Sequence, residues 1–146
     1  MKTAPESRKI AAVLKSLREE SLIPSPDFQR RAVWTSKDKI AFIQTILLGY
    51  PFPEIYVASG DVDTKTGEAT ELLVDGQQRL RTINEYFRGV KPFARTQAIP
   101  RYSQLEDQEK KDFLNYDVSV RNLGIIGEDE VREVFQRMNA KSYDLN

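Results

Sequence analysis

Glu71-Leu72-Leu73-Val74-Asp75-Gly76-Gln77-Gln78-Arg79-Leu80 is the stretch whose reading decides the fold. A short apolar run stops at an Asp-Gly break, and Leu80, Ile83 and Phe87 then recur at helical spacing up to Gly89. The pattern predicts a strand, a tight turn and a helix. With Asp75 at the capping position, the first backbone N–H groups of the helix point back at the turn, and their orphan donors and dipole favour an anion there. Gly76 lets a ligand approach the backbone closely, and Arg79, one turn inside, carries a charge suited to phosphate. Asp75 with Gln78 three residues on is equally a capping box, which is a purely structural device. Asp75 also repels a bare phosphate. A phosphate site at this turn therefore needs a bridging divalent cation such as Mg²⁺, or an Asp75 that only shapes the turn.

Working outward from the turn, Glu54 to Ala58 reads as a strand, and the Asp-, Thr- and Gly-rich segment 60–69 as a loop returning into Thr70–Val74, so the pair is expected to form an antiparallel hairpin. Upstream, Thr35 with Asp38, or Ser36 alone, caps a helix from Lys37 to about Leu48, with Gly49 as its C′ residue. Ile10, Val13, Leu14 and Leu17 predict an amphipathic helix over Ser7 to Glu20, broken by the prolines at 24 and 26. Asp27 to Trp34 is expected to be extended or looped, with Trp34 a core or boundary residue and Arg30 and Arg31 either surface charges or further phosphate ligands. Downstream, a short strand is expected near Gln97–Ile99. A capping-box helix is expected from Ser103 to Leu114, a strand over Asp117–Arg121 and a last helix from Gly127 to Met138. Together these elements make one α+β domain. The chain stops in a polar segment at Asn146, which suggests a fragment of a longer protein.

The chain has 146 residues, one domain's length, with 40% apolar and 30% charged side chains, as an ordinary globular chain has. No apolar run approaches membrane-spanning length and no signal-peptide segment opens the chain, so the cytoplasm is the expected compartment. The absence of cysteine excludes disulfides, thiol nucleophiles and thiolate metal sites; the absence of histidine excludes Ser-His-Asp triads, His-ligated zinc and an HNH nuclease centre within this chain. Net charge is zero but uneven. From Arg79 to Arg101 the cations Arg79, Arg81, Arg88, Lys91, Arg95 and Arg101 are opposed only by Glu85, whereas acids dominate after Ser103. If this basic middle faces DNA, Arg81, Arg88 and Lys91 are the candidate phosphate contacts; otherwise it is a solvated surface balancing the acidic helices.

Several stretches occur together and in order: Ile23-Pro24, Asp27-Phe28-Gln29-Arg30, Trp34, Ile46 to Ile55 with its Gly-Tyr-Pro-Phe-Pro core, Val74-Asp75-Gly76-Gln77-Gln78-Arg79-Leu80, and Phe135-Gln136-Arg137-Met138-Asn139. From about Leu22 onward the chain resembles the N-terminal domain of GmrSD-type restriction endonucleases, a branch of the ParB/sulfiredoxin-like fold with a small mixed sheet and surrounding helices. The resemblance divides the chain into an N-terminal helix, 1–21, and a nucleotide-binding domain, 22–146. It implies a bacterial phage-defence protein that acts on modified DNA, binds and hydrolyses a nucleoside triphosphate with Mg²⁺, and relies on a separate nuclease region. Carried onto this sequence, Gly76 and Arg79 bind the nucleotide together with Gln29, Arg30, Arg137 and Asn139. Asp75 holds Mg²⁺ or positions water, and Gln77 and Gln78 act in catalysis as neutral amides that orient water. Gln77 stands where sulfiredoxin chemistry needs a cysteine, so that activity is excluded. The alternatives are a DNA-binding module without turnover and an assembly domain in which the motif is only a helix cap.

Overall fold

A computed structural model describes residues 4–24, 33–124 and 127–144. The decisive stretch folds as its pattern predicts. Strand β4, the segment Ala69–Asp75, ends at Asp75; Gly76 turns the chain, and a helix runs over Gln77–Arg88. In chain order the described elements are β1 (Ala4–Lys9), α1 (Ile10–Arg18), β2 (Leu22–Pro24), α2 (Ser36–Leu47), β3 (Ile55–Val62), β4, α3 (Gln77–Arg88), a 3₁₀ turn (Tyr102–Gln104), α4 (Asp107–Leu114), β5 (Asp117–Asn122) and α5 (Glu128–Asp144). The five strands form one mixed sheet in the order β1-β5-β3-β4-β2. The β3–β4 and β1–β5 pairs are antiparallel, while β3–β5 and β2–β4 are parallel. The chain is thus α+β, as expected.

Alternation along the strands divides the core in two. Ile55, Val57 and Leu73 face a large cluster containing Ile10, Val13 and Leu14 of α1, Ile43 and Ile46 of α2, and Leu80, Ile83 and Tyr86 of α3. Tyr56, Ala58 and Val74 face a smaller cluster closed by Val131 and Phe135 of α5. The sheet is therefore a rigid floor between α1–α3 on one side and α5 on the other, and Asp75 stands at the carboxyl end of β4, opposite Tyr56.

Three expectations need correction. The helix expected from Ser7 begins at Ile10, because Ala4–Lys9 pairs with β5 as a strand, with Arg8 opposite Val118. The apolar stripe starts only at Ile10, so the polar residues upstream have no helical face to bury, and the ladder satisfies their backbone instead. Arg8 also reaches across the sheet to grip both oxygens of Glu71 at 2.7 and 2.8 Å. Gln97–Ile99 is not a strand: it forms bends with Ile99 buried, and no described strand lies alongside to pair with it. The helix expected from Ser103 is split into the 3₁₀ turn and α4 by an extended, buried Leu105. Gln104 Oε1 accepts from Arg101 N–H and Glu109 Oε1 from Glu106 N–H, so Glu106 rather than Ser103 starts the helix.

The segment 25–32, and with it the candidate ligands Gln29 and Arg30 and the neighbouring Arg31, lies outside the described residues. The side chain of Asn139 does too. Among the described residues no helix is long and apolar enough to cross a membrane.

Candidate functional site

Two helix starts frame the site. At α2, Thr35 accepts from Asp38 N–H at 3.2 Å and Asp38 accepts from Thr35 N–H at 2.9 Å, a complete capping box that matches the sequence pattern. Those hydrogen bonds hold the Asp38 carboxyl below the usual carboxylate range, the Thr35 backbone N–H being the main cause. At α3 the expected Asp75–Gln78 capping box does not form. Asp75 is the last strand residue, paired opposite Tyr56, and the capping position belongs to Gly76 at φ +108°. A glycine has no side chain with which to cap, so the first N–H groups of α3 are not closed by its N-cap residue.

Gly76 is fixed by sterics as well as by dihedral. A Cβ there would lie 2.5 Å from Ile55 Cγ2 on the neighbouring strand, and the positive φ is a region that only glycine enters cheaply. Strand β3 and the turn can approach this closely only because the residue is glycine, and that approach sets the angle at which α3 leaves the sheet.

From this start Asp75 and Arg79 both turn into a cleft of about 700 Å³ that they line with Trp34, Phe42, Phe52, Pro53, Glu54 and Tyr56. Arg79 Nη2 lies 3.5 Å from Asp75 Oδ2, Nη1 donates to the Pro53 carbonyl, and the guanidinium sits 5.8 Å above the centre of the Phe52 ring. Both side chains are largely buried, 12% exposed for Arg79 and 6% for Asp75. Glu54, on the same wall, accepts from Arg121 Nε at 3.2 and 3.3 Å. The cleft thus combines two carboxylates, each facing an arginine, with an aromatic wall. In that wall Trp34 meets Phe42 edge-on at 5.1 Å and Phe42 meets Phe52 at 5.0 Å.

A strand–glycine turn–helix bearing Asp-Gly-Gln-Gln-Arg, set over such a cleft, agrees with what a comparison of the sequence finds: the family described as GmrSD restriction endonuclease, N-terminal domain, matches residues 10–146. The chain belongs to that family. No curated protein and no solved structure matches it. Membership places this GmrSD N-terminal domain within a restriction endonuclease system.

The five motif residues of the GmrSD domain do not all point the same way. Successive helical residues are about 100° apart, so Gln77, Gln78 and Arg79 must diverge. Gln77 is buried, donates from Nε2 to Leu73 O at 3.3 Å, and lines a separate groove of about 240 Å³ with Leu17, Pro24, Leu73, Leu80, Arg81 and Asn84. Gln78 accepts from Trp34 N–H at 3.4 Å, so it ties the segment before α2 to the start of α3. Arg81, Arg88 and Lys91 are exposed on or just after α3, outside the cleft. Arg137 lies exposed on α5, bonded to Glu133 at 3.1 Å, and is not among the described residues lining the cleft.

Glu54, Tyr56, Phe42 and Phe52 join the site only through tertiary structure. Their signal in the sequence was slight: Phe52 and Glu54 sit in a stiff Pro-rich connection, and Tyr56 alternates outward from a buried strand. Among the described residues no group of three or more metal-ligating side chains forms. The donor set does fit an ion that keeps waters and shares a phosphate ligand, the arrangement typical of Mg²⁺, which needs only one or two protein carboxylates. Asp75 and Glu54 are the carboxylates that would hold it.

Proposed function

We propose that the cleft binds a nucleoside triphosphate together with Mg²⁺, and that the complete restriction system hydrolyses it to regulate action on DNA. The observation that carries this reading is Arg79, a largely buried guanidinium presented at a glycine-opened helix start inside a cleft of about 700 Å³. A guanidinium with directed donors suits phosphate oxygens, and the backbone N–H groups at the helix start add further donors. Phosphoryl transfer needs mainly positioning and charge stabilisation, which this chain can supply without a thiol or an imidazole. Bound Mg²⁺ would neutralise phosphate charge that Asp75 and Glu54 would otherwise repel. Asp75 orients the nucleophilic water or the ion. Gln78, bonded to the Trp34 N–H beside the cleft, enters as a neutral amide that positions its neighbours rather than as a base, whereas Gln77 faces the separate groove and takes no part in the cleft. The ParB/sulfiredoxin-like reading of the turn as a phosphate holder supports the same assignment, and the late Arg137 and Asn139 are weaker candidates for it. A nuclease centre of the HNH type must come from another region or partner, since this chain has no histidine.

The test is turnover of ATP, GTP, CTP and UTP with Mg²⁺ by the full system and by its Asp75→Ala and Arg79→Ala variants. Retained turnover in both variants would sink the assignment.

One observation favours a second reading, a DNA-binding module without turnover: Arg81, Arg88 and Lys91 are exposed together while the nearby acid Glu85 is held by Lys39 at 2.8 Å. DNA binding through these residues would fall steeply with salt, as counterion release requires. Binding to a Mg²⁺–nucleotide would be far less salt-sensitive.

A further inference from the structure

The cleft is larger and more aromatic than a triphosphate alone requires, and its aromatic side is anchored to the motif itself. Trp34 lines the cleft together with Asp75 and Arg79, with its ring edge-on to Phe42 at 5.1 Å. Its backbone N–H is bound by Gln78 Oε1 at 3.4 Å, and the next residue, Thr35, is locked by the capping box with Asp38. The backbone at Trp34 is therefore tied to the motif helix and to the start of α2, and the indole packs edge-on against the Phe42 ring. It nevertheless stays only partly buried. A large aromatic side chain fixed in this way, beside an arginine suited to phosphate, is preorganised to receive a flat ring.

We propose that Trp34 is the stacking platform for the nucleobase, so that the cleft takes a whole nucleotide and holds it at two ends, the base at Trp34 and the phosphates at Arg79. This rests on the nucleotide reading above and adds to it. It gives Gln78 a concrete positioning role, since the amide that bonds Trp34 N–H sets the distance between the base platform and the phosphate end. It also fixes the kind of selectivity expected: every base has a π-face, so stacking discriminates weakly among bases but strongly between a nucleotide and a bare polyphosphate.

Trp34 is the single tryptophan of the chain, which makes the platform directly observable. The experiment titrates Mg²⁺–ATP, Mg²⁺–UTP and Mg²⁺–tripolyphosphate into the parent protein and into Trp34→Ala and Trp34→Phe, by calorimetry for affinity and by intrinsic fluorescence in the parent. The nucleotides are expected to quench Trp34 and tripolyphosphate to leave it nearly unchanged. Trp34→Ala should weaken nucleotide binding by about tenfold or more while leaving tripolyphosphate affinity unaltered, and Trp34→Phe should restore most of the loss. Unaltered tripolyphosphate binding also shows that Trp34→Ala is folded. Nucleotide and tripolyphosphate binding with equal affinity, both indifferent to Trp34→Ala, would overturn the platform while leaving the phosphate site standing. Failure of the parent to bind any of the three would overturn the nucleotide reading and the platform with it.

Discussion

The starts of α2 and α3 lie against the same cleft and are built in opposite ways. At α2 the chain closes the helix end with its own side chains, Thr35 and Asp38 satisfying each other's backbone donors. At α3 it places a glycine at φ +108° and packs it against Ile55, so the cap residue has nothing to offer the first N–H groups. The two helix starts therefore differ in what fills the capping position, although both carry the same Asp/Thr-x-x-Asp/Gln signature in sequence. The difference also divides the charges. The Asp38 carboxylate is spent on its own helix, whereas the Asp75 carboxylate lies in the cleft 3.5 Å from Arg79.

Substituting the glycine attacks the comparison hardest. Gly76→Ala must relieve both a positive φ and the contact with Ile55, and is expected to cost about 3 kcal/mol of stability in urea unfolding. A loss below about 1 kcal/mol would mean that the turn is not the steric pivot described here. Asp75→Ala comes next. It leaves the largely buried Arg79 guanidinium without its facing carboxylate and should destabilise by about 2 kcal/mol, measured the same way; an unchanged midpoint would show that the pair contributes no net stability. Thr35→Ala removes an ordinary cap and should cost about 1 kcal/mol in urea unfolding while leaving tripolyphosphate affinity unchanged, which is the contrast expected of a helix start that does not present the phosphate end.

The smallest effect is in acid. Because the folded Asp38 carboxyl titrates below its ordinary value, chiefly through the Thr35 N–H, its contribution is present above the unfolded pKa and is lost as pH falls through the depressed folded one. Asp38→Asn should therefore flatten the stability profile below about pH 4. An acid limb identical to the parent's would contradict the box.

Much of this was legible because it is local. The hairpin β3–β4, the Asp-Gly break and the α2 capping box each depend on residues within a few positions of one another. Strand β1 was not legible: its partner β5 lies more than a hundred residues away, and Pro5-Glu6-Ser7-Arg8-Lys9 has no alternation to betray it. The three-residue β2 was hidden for a similar reason, since it exists only as a parallel neighbour of β4. At the site, the sequence pointed to Asp75, Gly76 and Arg79 but not to the divergence of Gln77 from Gln78, which follows from helical geometry once the turn is placed. Trp34 was expected as a core or boundary residue and does pack against the core; that it also lines the cleft, with its N–H bonded to Gln78 44 residues on, depends on contacts distant in sequence.

The central claim is that Arg79, presented by a glycine-opened helix start, binds nucleotide phosphate. Calorimetric titration of the four Mg²⁺–nucleoside triphosphates into the parent and Arg79→Ala tests it most directly. The account predicts one-site binding by the parent and a loss of about 10–100-fold in the variant, with the variant's thermal unfolding still cooperative. Equal affinity in the two proteins would contradict it.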